Sequence, residues 1–85
     1  MRDLSNDPVL KFAIAMSGKL SANSDKSGWW NEDNGYLFRR LGQEIAELRR
    51  AIKKNKSKED IIGEAADVAN FAMMIADNYE QEEEK

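Results

Sequence analysis

Glu44 and Glu47 form an E-x-x-E pair, and Glu64 and Asp67 form an E-x-x-D pair. Residues three apart on a helix are neighbours on one face, so each pair can aim two carboxylates at one point. Two such helices side by side can surround a cation. The first pair alone reads as solvated surface acids, or as partners of Arg40 and Arg50. The second pair is harder to place at a surface. From Ile61 to Ala76 the chain reads IIGEAADVANFAMMIA, and its only polar side chains are Glu64, Asp67 and Asn70. An acid in a helix that is apolar almost all round must be buried, paired or bound to metal. Acids sharing a face repel unless a cation or a proton sits between them. With four converging, a hard divalent ion held through oxygen resolves the repulsion most cheaply. Mg2+ or Mn2+ suits an all-oxygen, water-retaining site without imidazole or sulfur.

Composition narrows the chemistry further. The 85 residues include no cysteine and no histidine, which excludes disulfides, thiolate nucleophiles, zinc-thiolate sites and the commonest general base. Any catalysis then runs on carboxylates, lysine, tyrosine or metal-bound water. The net charge of −3 speaks against a nucleic-acid binder, although a local basic patch can still serve a phosphate ligand. No segment is long or apolar enough to span a membrane, and Met1-Arg2-Asp3 does not open a signal peptide. A soluble cytoplasmic protein is the expectation.

Helices must position the acids, because strand signals, repeats and Gly-rich phosphate loops are all missing from the sequence. The fold expected is all-α, a bundle of about three helices in one domain over 1–85. Asp7-Pro8 caps and opens the first helix, whose apolar stripe is Val9, Phe12, Ala13, Met16 and Leu20. A polar loop over 21–28 ends it, and Trp29 and Trp30 follow outside any periodic stripe. The second helix spans about Asn34 to Lys54, with Phe38, Leu41, Ile45, Leu48 and Ile52 as its packing seam. Ser57 and Asp60 make a variant capping box for the third helix. There Ile61, Ala65, Val68, Ala72, Ile75 and Tyr79 form one stripe, and Ile62, Ala66, Ala69, Met73 and Ala76 a second beside it. One stripe packs on the second helix; the other needs a further partner. A domain this small buries only about two-thirds of the surface its unfolded chain exposes, so self-association is expected. Residues 80–85 hold nothing apolar and read as a frayed acidic tail.

The run LGQEIAELRRAI, the 16 residues from Leu48 to Gly63 between the acidic pairs, and then GEAADVANFAMMIADN together resemble the MazG-like all-α nucleoside triphosphate pyrophosphohydrolases. The likeness covers roughly Trp29 to Asp77. It implies that Glu44, Glu47, Glu64 and Asp67 bind Mg2+ that holds a nucleotide triphosphate. Water then attacks the α-phosphorus and releases a monophosphate and pyrophosphate. It implies a homodimer or a dimer of dimers, and Glu47 is the residue chosen here as general base. Asn70 reads either as a nucleotide-contacting amide or as an amide bonded to another helix or subunit. Trp29 or Trp30 either stacks on a base or closes the bundle end. Lys53, Lys54, Lys56 and Lys58 either neutralise polyphosphate or complement a helix C-terminus.

Two departures stand out. Many relatives carry an acid where this chain has Gln43, and many have a fourth helix where this sequence stops. Two rival readings remain: a phosphoribosyl-ATP pyrophosphohydrolase, with similar chemistry on a bulkier substrate, and a non-catalytic helical interaction module with a structural cation. The enzyme requires all four acids to converge. The module lets Glu44 and Glu47 face solvent.

Overall fold

The computed structural model describes residues 6–22 and 28–83. It is all-helical: α1 spans Pro8–Ala22, a single 3-10 turn Trp29–Asn31, α2 Asn34–Lys53 and α3 Lys58–Glu83. Most of the polar loop expected over 21–28, and residues 84 and 85 of the expected tail, lie outside the described residues. No helix among the described residues is long and apolar enough to cross a membrane.

Local chemistry starts each helix. The Asp7 carboxylate accepts from the Val9 N–H at 2.8 Å, Asp33 from Tyr36 N–H at 3.2 Å, and the Ser57 hydroxyl from Asp60 N–H at 3.1 Å. Each satisfies a donor that a helix N-terminus leaves without an intrahelical partner. α2 stops at a left-handed residue, Asn55, whose φ is 53°. Lys56 N–H donates to the Ala51 carbonyl at 3.0 Å and Asn55 N–H to Ile52 at 3.1 Å, the paired bonds of a Schellman cap. This cap reverses the chain into α3. Glycine takes the left-handed conformation with less strain than asparagine. Asn55→Gly should therefore raise stability by up to about 1 kcal/mol, read as a higher chemical denaturation midpoint, and Asn55→Val should lower it.

α3 is the centre of the fold. Both α1 and α2 lie against it, and no Cα of α1 comes within 8 Å of a Cα of α2. The result is an open, flat arrangement of 41 × 36 × 22 Å rather than a closed bundle. Among the described residues the buried apolar side chains are Leu37, Ala51 and Ala66.

Three stripes differ from the sequence expectation. α2 meets α3 through Leu37, Leu41, Glu44, Leu48 and Ala51, so its seam is turned slightly and leaves Phe38, Ile45 and Ile52 at 68%, 50% and 54% exposure. α1 turns Phe12, Ala15, Met16, Lys19 and Leu20 inward, while Val9 and Ala13 stay exposed. In α3, Ala66 of the second stripe is covered within the chain, while Ile62 and Ala76 of that stripe, and Ala72 and Tyr79 of the first, are exposed. α3 also continues through Glu80, Gln81 and Glu82 to Glu83 instead of fraying at residue 80. Glutamate and glutamine are good helix formers, and that propensity suffices without burial.

Candidate metal centre

The antiparallel α2–α3 hairpin has a readable register. Asn78 of α3 donates to Asn34 of α2 at 2.9 Å, and Arg40 of α2 lies over the Phe71 ring at 4.9 Å. Continuing that register toward the turn sets Glu44 and Glu47 beside Asp67 and Glu64. The juxtaposition is electrostatic as well as topological. Burial first, then Asp67, Glu44 and Glu47, push the Glu64 carboxyl above its ordinary range, with Lys19 opposing them. One glutamate thus feels the acid beside it and both acids of the facing helix.

The other three acids each meet a cation of this chain. Lys19 Nζ stands 3.3 Å from Asp67, Arg40 Nη2 3.3 Å from Glu44, and Arg50 Nη1 2.6 Å from Glu47. Arg40 also donates to Gln43 at 2.5 Å, so the amide at this position supports the guanidinium instead of adding an acid. As the side chains lie, no three acids among the described residues are grouped closely enough to hold a metal ion. The donor set fits a hard divalent cation by chemistry and by mutual repulsion. Three of its members, Asp67, Glu44 and Glu47, are engaged by cations of this chain.

A cleft of about 800 Å³ opens between α1 and α2, floored by α3. Lys19, Arg40, Glu44 and Asp67 lie on its charged side, and Trp29, Trp30 and Tyr36 on its aromatic side. Glu47 and Glu64 are not among its lining residues. Trp29 is fixed in place. Its indole N–H donates to Asp77 at 2.9 Å, and its carbonyl accepts from the Asn78 amide at 3.2 Å. Trp30 packs edge-on against it, with centroids 5.7 Å apart, and remains 65% exposed. A Cβ at Gly28 would meet the outer edge of the Trp30 ring, which would have to swing aside. Trp29 therefore closes the end of the fold, while Trp30 offers a ring toward the cleft.

Asn70 lies in the cleft floor at 4% exposure. Its amide N–H donates to the Met16 carbonyl at 3.0 Å, which ties α3 to α1. Its Oδ1 is buried without a hydrogen-bond partner. Lys53, Lys54, Lys56 and Lys58 are all exposed at the hairpin turn, and none lines the cleft. They are not brought together with the acids and the tryptophans.

Sequence reasoning missed Lys19 and Tyr36 as parts of this site, and placed Arg40 beside the acids but not in the cleft. Lys19 follows Met16 by three residues, which places it on the same face of α1. Arg40 precedes Glu44 by four, the spacing of an intrahelical ion pair. Tyr36 belongs to no apolar stripe read from the sequence and carried no such signal. The chain matches no protein-family profile, no curated protein and no solved structure.

Proposed function

We propose that this chain is a Mg2+-dependent nucleoside triphosphate pyrophosphohydrolase of the MazG-like kind. It would convert an NTP or dNTP and water to a nucleoside monophosphate and pyrophosphate. One observation carries the reading: E-x-x-E and E-x-x-D lie on facing helices, within electrostatic reach of each other, beside a cleft with an aromatic side. Glu44, Glu47, Glu64 and Asp67 would hold Mg2+, or Mn2+, through oxygen. Such an ion, when bound, neutralises triphosphate charge and acidifies a coordinated water.

The side chains supply the rest. To serve as ligands, Asp67, Glu44 and Glu47 exchange Lys19, Arg40 and Arg50 for the ion. Lys19 and Arg40 line the cleft, so their freed charges face the polyphosphate. Glu47 is the most exposed of the four acids, with 49% of its side chain accessible. That exposure would leave it a carboxylate oxygen not engaged by the ion, which would take a proton from the attacking water. The water oxygen bonds to the α-phosphorus as the bridging oxygen leaves with pyrophosphate. Trp30 provides a stacking surface for a base, which tolerates many bases and fixes none.

The intrachain ion pairs favour a second reading, a helical interaction module whose acids are neutralised at home. A panel of canonical and modified nucleoside triphosphates, incubated with Mg2+, separates the two. The enzyme should release monophosphate and pyrophosphate in equal amounts. In water enriched in oxygen-18 the label should enter the monophosphate. Label in orthophosphate means attack at another phosphorus, and no turnover across the panel favours the module.

A further inference from the structure

We propose that the turn between α2 and α3 is a docking surface for the phosphate backbone of a double-stranded nucleic acid. This inference does not rest on the reaction proposed above. Six of the chain's 13 lysines and arginines fall within residues 49–58, a run that holds no acid. Arg49, Arg50, Lys53, Lys54, Lys56 and Lys58 are all exposed. Among the described residues Arg50 pairs with Glu47, and the other five meet no acid of the chain. None of the six lines the cleft, so a ligand bound there does not account for them.

The fold does not need this much positive charge here. Cations suit the last turn of a helix, and Arg50 and Lys53 already fill that place in α2. The surplus is unfavourable within the chain. Arg49 and Lys53, like Arg50 and Lys54, stand four residues apart, a spacing at which like charges repel. Lys58 opens α3, where a cation opposes the helix dipole. Glu59 and Asp60 answer that dipole from the first turn of α3 without pairing with a lysine. The Schellman cap at Asn55 fixes the backbone that carries the cluster. A polyanion would relieve the repulsion.

The net charge of −3 does not cancel this patch, because the charges are segregated. Glu80, Glu82 and Glu83 lie at the far end of α3, more than about 30 Å from Lys58 at about 1.5 Å per residue. That is several screening lengths in physiological salt. The composition of the turn selects the kind of polyanion. Residues 49–58 include no aromatic ring, so they offer no platform for unstacked bases. Ile52 is their one exposed large apolar side chain, too little to insert into a lipid surface. What remains is a set of fixed positive charges. It suits the backbone of a duplex, which carries one phosphate per about 1.7 Å of axis. Such contacts hold the duplex without reading its sequence.

Fluorescence anisotropy of a labelled duplex of about 20 base pairs, titrated with the full chain in EDTA and about 50 mM salt, tests this. No reaction requiring Mg2+ runs under these conditions, so the result stands apart from that of the activity panel. The parent should bind with a micromolar dissociation constant. Affinity should fall at least about 100-fold between about 50 and 200 mM salt, as expected when four cations meet phosphates. Lys56→Glu should weaken binding at least about 10-fold and flatten the salt dependence. Lys11→Glu, the same charge change at an exposed position of α1, should alter it little. A parent that leaves the duplex unbound at low salt overturns the proposal. So does tighter binding of a single strand, equal binding to phosphatidylserine vesicles, or a folded Lys56→Glu variant that binds like Lys11→Glu. Should Lys56→Glu not fold, Lys56→Gln against Lys11→Gln makes the same comparison.

Discussion

Replacing Glu64 with Gln should reduce nucleotide hydrolysis at least about 100-fold, yet leave the metal-free protein as stable as its parent or more so. Both halves follow from one feature. Burial and the charges of Asp67, Glu44 and Glu47 hold the Glu64 carboxyl above its ordinary value of 4.5. A carboxyl with a raised value in the fold is bound more weakly as an anion than it is in the unfolded chain. Its cost is absent below the unfolded value and grows as pH rises toward the folded one. The metal-free parent should therefore lose stability relative to Glu64→Gln as pH climbs from about 4.5. Above the folded value the gap stays constant. Mg2+ should close it by stabilising the parent as its concentration passes the dissociation constant. Thermal melts of both proteins across a pH series and a Mg2+ titration read all of this. A Glu64 held by an arginine or lysine for structure alone predicts the reverse, destabilisation with or without Mg2+.

Leu37→Ala should be the most damaging change to the fold. Leu37 is 2% exposed at the α2–α3 contact, and the other buried apolar side chains among the described residues are alanines. Truncating a buried leucine costs about 2–5 kcal/mol. A domain this size is stable by roughly 0.05–0.15 kcal/mol per residue, so the loss is a large share of the whole. The melting temperature should fall by at least about 10 °C. Val9→Ala, at 75% exposure, should change stability by less than about 0.5 kcal/mol. Melts followed by far-UV circular dichroism compare the two. Equal effects would mean that the core lies elsewhere.

Helices and their caps were legible because their signals are local. Asp7-Pro8 and Ser57 with Asp60 act within one turn, and each makes the hydrogen bond expected of a cap. The packing faces were less legible. Periodicity selects the most apolar stripe of α2, Phe38 to Ile52, but the face against α3 includes Glu44 and turns Leu37 and Ala51 inward. A stripe broken by an acid looks like surface until the acid's partners across the hairpin are known. The four acids were legible as two facing pairs. Arg40 and Arg50 were legible as partners of Glu44 and Glu47, but the neutralisation of Asp67 was not, because Lys19 reaches it from another helix. Which tryptophan closes the end of the fold was undecided for the same reason: Asp77 and Asn78, which hold Trp29, lie far along the chain.

The most direct test of the acidic centre is a Mn2+ titration followed by loss of the free-ion electron paramagnetic resonance signal. It should be run on the parent, Glu44→Gln of α2 and Asp67→Asn of α3. If both helices hold one ion, the parent should bind Mn2+ and each variant should weaken it at least about 10-fold. Adding a non-hydrolysable nucleoside triphosphate should tighten binding to the parent. A parent that binds no Mn2+ even with the nucleotide, or affinity indifferent to either substitution, would contradict the account.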